Sequence, residues 1–423
     1  MKEKLWTRRK VFKLGLIPLA AGPLRALAQG SGELIYNSYM GDPVPRAFDQ
    51  KMVARFKQKY PGIRVQHTIV AHEDFKQAIR TYLIASRPPD VLTWFAGNRM
   101  RFFASRGLLA DITDLWQKEG LEKVINPALH EACKYNGRYY FLPTGYYWWA
   151  VYYRRDIFER LNLKPPATWE EFLGVCERLK EAGITPLTTG TRFRWPAAAW
   201  FDYLNMRING PKFHIELTDG LVPYTDERVR RVFDYWKVLL DKGYFIANPA
   251  AYDWHEGVAL MAQGKAAMYL MGAFIRESYP RERWEELDFF RFPIIDPKVP
   301  VGEDAPTDGF FVPARARNLQ NAKLFLAYAA SREFAEAMIK ELNSISARTD
   351  IPMNLYSDYF QKGIREVLSR ANYTAQFYDR DTHPEMAERG MNGFVQFMAN
   401  PGQIGSILQA LEADRKRIFA QEK

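Results

Sequence analysis

The sequence predicts an α/β protein folded in two lobes, each a mainly parallel sheet flanked by helices, and three observations carry that prediction. Segments that alternate as strands and segments with helical spacing follow one another in turn, the rhythm of a parallel sheet covered on both faces. The same rhythm starts afresh after Pro143. Of the 423 residues, about 395 follow a 28-residue leader; that is too long for one hydrophobic core and suits two lobes of roughly 100 to 200 residues each.

Taken in order, residues 33–39 (ELIYNSY) read as a first strand and 45–60 as a helix that stops before Pro61-Gly62. Residues 63–70 alternate as a second strand, 74–85 form a second helix, and Pro88, Pro89 and Asp90 open the strand VLTWF at 91–95. Beyond Pro143 come an apolar strand at 150–153, a helix at 155–161 and a helix start at Thr168. There Glu171, three residues on, completes a capping box. Gly183 ends that helix, and 184–189 returns as a strand. A last amphipathic helix, 403–423, carries Ile404, Ile407, Leu408 and Leu411 on one side and is expected to pack on the second lobe. Its final turns hold Arg415, Lys416 and Arg417, which suit the negative end of the helix dipole.

The leader has a basic head with Arg8, Arg9 and Lys10, an apolar run at 14–27 broken by Gly15, Pro18, Gly22, Pro23 and Arg25, and the small-residue triplet Ala26-Leu27-Ala28. That run is too short and too interrupted to span a hydrocarbon core of ~30 Å, so residues 1–28 are expected to be a signal peptide cleaved near Ala28. The adjacent arginines resemble a twin-arginine leader, which exports folded chains. The expected location is the periplasm; no cysteine stands near residue 28 to carry a lipid. Residues 1–28 hold seven basic residues and one acidic, so the net charge of +10 falls to +4 without them. No clustered basic footprint remains for nucleic acid, and no run of eighteen apolar residues remains for membrane insertion. Cys133 and Cys176 sit in segments read as helix, and each reads as a small buried hydrophobe instead of half of a disulfide.

Aromatic residues make up 15% of the chain, and their placement points to a ligand. Tyr36, Tyr39, Trp94, Phe95, Tyr146, Tyr147, Trp148, Trp149, Trp195, Trp254 and Phe274 stand in short polar-flanked segments just after predicted strands. A pyranose offers an apolar C–H face that stacks on such rings and a fringe of hydroxyls that takes planar polar side chains. Ligands in open α/β sheets settle beyond the carboxyl ends of the strands, which groups Ser38, Tyr39, Trp94, Phe95, Asn98 and Arg99.

Four longer segments, in order, resemble one family. They are PPDVLTWFAGNRMRFFASRGLLADITDLW at 88–116, GRYYFLP at 137–143 with VYYRRDIFERLNLKPPATWEEFLGVCERLKEAGITPL at 151–187, ALMAQGKAAMYLMGAF at 259–274, and TDGFFVPARARNLQNAKLFLAYAAS at 307–331. The family is that of the extracellular solute-binding proteins of ABC importers, in its carbohydrate-binding, maltose-binding-protein-like group. The resemblance implies the two-lobed periplasmic-binding-protein fold, a ligand cleft between the lobes, no catalytic apparatus, no cofactor and no metal. It implies a monomer that closes on a small carbohydrate and hands it to a membrane permease. By analogy the chain crosses between lobes near 146–150, 291–294 and 346–351. The first lobe then comprises 29–147 plus 292–347, and the second 148–291 plus 348–423.

Carried over position by position, Trp94 or Phe95 matches the first-lobe stacking aromatic, with Asn98 and Arg99 as the polar pair behind it. Tyr147 or Trp148 matches a cleft residue beyond the first crossing. Phe274, after Gly272, stands where many relatives have a stacking tryptophan. Trp195 and Trp254 are further stacking rings, Asp308 is a hydroxyl partner or a turn cap, and Arg348 lies near the third crossing. Relatives often carry a charged pair after the first strand, where this chain has Asn37, Ser38, Tyr39 and Asp42, and that departure opens the ligand's identity. Two other readings stand beside this one. The arginines Arg99, Arg192, Arg194 and Arg348 leave room for an anionic ligand such as a phosphorylated polyol or an organic anion. A secreted glycoside hydrolase would also be aromatic-rich and would need a carboxylate pair. Polyamines are disfavoured, since they call for several carboxylates in the cleft. Asp253, His255 and Glu256 lack the spacing of a metal site and read as a helix-capping loop.

Overall fold

The computed structural model describes residues 30–420; the expected leader and its cleavage site lie outside the described residues. Two sheets organise the chain. The first has six strands in the order Ile345–Ser346, Leu142–Tyr146, Thr307–Phe311, Val91–Phe95, Gly32–Ser38 and Ile63–Ile69. The second has four, in the order Leu287–Phe290, Trp149–Arg154, Ala266–Gly272 and Thr185–Leu187.

Both sheets are mixed, where mainly parallel sheets were expected. In the first, Gly32–Ser38 pairs in parallel with both its neighbours, but the three remaining pairings are antiparallel. The cause lies in the connections. Strand–helix–strand crossovers within a lobe give parallel neighbours, whereas strands that leave for the other lobe or return from it owe nothing to that rule. The chain passes directly from Tyr146 in the first sheet to Trp149 in the second, and comes back between Phe290 and Thr307.

Each sheet has its own core. Tyr36, Phe56, Leu92, Trp94, Trp116 and Phe310 belong to the first; Trp148, Trp149, Phe172, Trp200, Phe233 and Trp236 belong to the second. Cys133 is buried in the first and Cys176 in the second, both unpaired. The capping box at Thr168 and Glu171 is present and opens the helix Trp169–Glu181. The last helix, Ile404–Ala420, turns Ile404, Ile407, Leu408 and Leu411 into the second core. Among the described residues no helix is long and apolar enough to cross a membrane.

The segment 292–304, assigned to the first lobe on sequence, packs on the second. Phe292 lies in the second core, Ile294 accepts the backbone N–H of Trp169, and Arg207 reaches across to Glu303 at 2.6 Å. In this segment the strand Gly302–Asp304 pairs with Tyr373–Ala375. Here Asp202 and Asp304 are both fully buried, and neither oxygen of Asp304 meets a donor among the described residues. Burial, and next the neighbouring carboxylates, hold both acids well above the ordinary Asp value. A carboxyl whose folded value is raised binds a proton that the unfolded chain has released, so its contribution to stability is present at low pH and fades as pH rises above about 4. Asp304→Asn is therefore expected to raise the melting temperature at pH 8 by about 2–4 °C and to leave it little changed at pH 4, which thermal denaturation across that range checks.

Candidate functional site

A cavity of about 700 Å³ opens between the two sheets, within the usual range for a small-molecule site. Its residues come from strand ends and the turns beyond them. Tyr39 follows Gly32–Ser38, Phe95 ends Val91–Phe95, and Asp308 opens the neighbouring antiparallel strand opposite Phe95. Tyr147 sits on the first crossing, Phe274 follows Ala266–Gly272, Trp195 and Trp254 start the helices Trp195–Thr218 and Trp254–Ala262, and Arg380 lies on the short helix Tyr378–Asp381.

One wall is polar over aromatic. Tyr39 and Phe95 stack with centroids 5.2 Å apart, and the Arg380 guanidinium lies 4.2 Å above the Phe95 ring. Asp308 Oδ1 accepts the Tyr39 hydroxyl at 2.8 Å and Arg380 Nη1 at 3.2 Å, while Arg380 Nη2 donates to the Tyr147 hydroxyl at 3.0 Å. Burial and the Asp308 charge raise the Tyr39 pKa far above its ordinary value, so the phenol keeps its proton and remains a donor. Burial works against the Arg380 charge, but Tyr147, Asp308 and Asp379 more than offset it.

The facing wall is aromatic and centred on Phe274. Trp254 and Tyr147 meet that ring edge-on at 5.1 and 5.2 Å, with Trp195 at 6.2 Å. Gly272 makes room for it, since a Cβ there would stand 2.3 Å from the Phe274 ring. Asp253 and Glu256 form a second capping box, which fixes the helix start that carries Trp254. The Asp253–His255–Glu256 cluster is thus a cap, and no group of metal-binding side chains occurs among the described residues.

Seven of the thirteen residues singled out from sequence line this cavity: Tyr39, Phe95, Tyr147, Trp195, Trp254, Phe274 and Asp308. Six do not. Trp94 lies in the first core against Phe75, Phe103 and Phe311, and Trp148 in the second against Phe289, Tyr359 and Phe360. Trp94 and Phe95 are both buried in the first core with their rings 4.8 Å apart, and of the two Phe95, at the strand's end, is the one that also borders the cavity. Ser38 is fully buried, and its hydroxyl accepts the Met40 N–H in the turn. Arg348 folds back on Asp350 and the Ala330 carbonyl. Asn98 and Arg99 turn to the segment 379–381 behind the wall: Asn98 donates to the Asp381 carbonyl, and Arg99 binds Asp379. Trp149, one of the aromatics noted after predicted strands, also lines the cavity, as do Arg380, Asp379 and Phe377, which were not singled out from sequence. The stretch Phe377-Tyr378-Asp379-Arg380 has no spacing that sets it apart from an ordinary polar loop.

Two sheet-centred lobes with an aromatic and polar cavity between them define a binding protein of the hinged two-lobe class. The family of bacterial extracellular solute-binding proteins matches residues 41–336, and the chain belongs to that family. It is 27% identical over 343 residues to an uncharacterized ABC transporter extracellular-binding protein of Pyrococcus horikoshii, covering 79% of this chain and 76% of that one. It is 26% identical to a probable sugar-binding periplasmic protein of Rhizobium meliloti, covering 70% and 68%. Among solved structures the bacterial solute receptor AcbH, described as having an exclusive preference for β-D-galactopyranose, superposes with a TM-score of 0.87 at 32% identity, covering 92% of this chain and all of the other.

Proposed function

We propose that this chain is the extracytoplasmic substrate-binding component of an ABC importer, and that it closes on a neutral sugar or short oligosaccharide and delivers it to a membrane permease. The observation that carries the reading is the pairing of the two walls. The Asp308, Arg380 and Tyr39 set presents fixed polar groups for vicinal hydroxyls, and the Phe274, Trp254, Trp195 and Tyr147 wall offers rings to the apolar face of a pyranose. The names borne by the Rhizobium relative and by AcbH point the same way.

The charge of the lining weighs against the anionic alternative. Lys76 and Arg380 are the lysine and arginine among the described lining residues, and both are already paired within the protein, Lys76 with Glu73 and Asp379, Arg380 with Asp308. Asp42, Glu73, Asp74, Asp253, Glu277 and Asp379 add further carboxylates, so the cleft does hold the several carboxylates whose expected lack had set polyamines aside. An organic anion or phosphate entering there would meet no unpaired guanidinium or ammonium and a surplus of negative charge. Binding itself is the activity in this reading, with no cofactor, and the protein acts as a monomer after export by its leader.

The test is a panel of D-galactose, D-glucose, lactose, cellobiose, a hexose phosphate and citrate, followed by melting temperature and by product analysis. A neutral sugar at 100 times its Kd is expected to stabilise the protein by about 2.7 kcal/mol, without turnover and without any response to the anions. Stabilisation by anions alone, or release of cleaved sugar, contradicts the reading.

A further inference from the structure

Behind the polar wall the segment 376–381 runs as a strap held from both lobes. On the side of the second lobe, the Tyr378 N–H donates to Asp202 at 2.6 Å and the Phe377 ring stacks on Trp149 at 4.7 Å. Toward the first lobe, the Gln376 side chain bonds the Thr307 N–H and hydroxyl, and Arg99 Nε and Nη2 reach the Asp379 carbonyl and carboxylate at 2.8 and 3.0 Å. Phe377 has φ +117°, ψ 143°, a backbone region costly for any residue but glycine. It is held there by Asp381, whose Oδ2 accepts the N–H groups of Gln376 and Phe377. Gly97 presses close from below, since a Cβ there would stand 2.9 Å from the Arg380 carbonyl oxygen. The strap is therefore braced at nearly every residue, and Arg380, its one side chain that joins Asp308 and Tyr147, inherits that rigidity.

We propose that Arg99, which lies off the cavity, is a positioning residue: through Asp379 it fixes the place of the Arg380 guanidinium, and so sets the selectivity between sugars that differ in the configuration of one hydroxyl. The proposal rests on the sugar reading above. Discrimination between epimers depends on a donor held within about 0.5 Å of the hydroxyl it serves, because the wrong epimer then leaves buried polar groups unpaired. Asp379 is nearly buried beside three cations. Burial alone would raise its pKa, but Arg99, Lys76 and Arg380 outweigh that and keep it below the ordinary value, hence ionised and able to anchor the strap. Without Arg99, Asp379 keeps only Lys76 at 3.9 Å and the adjacent Arg380. The carboxylate is then free to draw Arg380 away from Asp308.

The experiment is calorimetric titration of wild type, Arg99→Met, Arg99→Lys and Asp379→Asn with two pairs of sugars that differ at one C4 hydroxyl, D-galactose with D-glucose and lactose with cellobiose. For whichever pair the wild type binds, Arg99→Met and Asp379→Asn are expected to compress the affinity ratio between epimers about tenfold, and Arg99→Lys to restore it to within about threefold. A ratio unchanged in Arg99→Met, even with both affinities lowered together, overturns the proposal and leaves Arg99 a structural residue. Should Arg99→Met not fold, Asp379→Asn decides by the same ratio. Wild-type protein that binds none of the four sugars overturns the sugar reading instead, and this inference with it.

Discussion

Replacing Arg380 by methionine is expected to weaken sugar binding about 100-fold, roughly 2.7 kcal/mol, the largest effect of any single change in the cavity. Three roles end together. The guanidinium lies over Phe95, donates to Tyr147 and pairs with Asp308, so its loss removes charge-assisted donors to the sugar and leaves the Asp308 carboxylate with the Tyr39 hydroxyl as its remaining described partner. A donor at the centre of a desolvated site commonly costs 2 kcal/mol or more when truncated. Titration calorimetry with the sugar found by the panel measures it. A double-mutant cycle with Asp308→Asn is expected to show strong coupling, because each group holds the other in place. A loss below threefold in Arg380→Met would mean that the ligand never meets this wall.

The second large effect falls on stability. Arg207→Met is expected to destabilise the protein by about 3 kcal/mol. Arg207 and Glu303 are 2% and 0% exposed, 2.6 Å apart, and Arg207 also donates to the carbonyls of Phe292 and Gly302. Removing the cation strands a carboxylate in the second core and releases two carbonyls of the linker. Arg291, 3.3 Å from Glu303, limits the damage. The double variant Arg207→Met, Glu303→Gln is expected to recover part of the loss, since no charge then remains buried without its partner. Urea unfolding of the three proteins distinguishes this from a simple loss of packing volume, for which the second change would add to the cost.

Much of this architecture was legible because it rests on local signals. Period-two runs, the Thr168 and Glu171 box and the apolar stripe from Ile404 to Leu411 are readable without tertiary information. Sheet direction was not, since it depends on where the chain leaves one lobe for the other. The aromatic wall was readable for the same reason as the strands: Phe274, Trp195 and Trp254 follow strand ends or open helices. The pairs Trp94-Phe95 and Tyr147-Trp148 were resolved only by tertiary packing: Trp94 and Trp148 are enclosed by core rings, whereas Phe95 and Tyr147 also border the cavity. Arg380 was out of reach. Its importance comes from partners at Asp308, Tyr147 and Phe95, separated from it by between 72 and 285 positions, and no pattern within its own stretch announces them. Asn98 and Arg99 show the converse, in that the family resemblance implied hydroxyl contacts while the fold spends them on the strap.

The central claim is that the two lobes shut on the sugar. Small-angle X-ray scattering with and without a saturating neutral sugar tests it most directly. The account predicts a smaller radius of gyration in the bound state, reversed when the sugar is dialysed away. An unchanged scattering profile at a concentration where calorimetry shows full occupancy would contradict it.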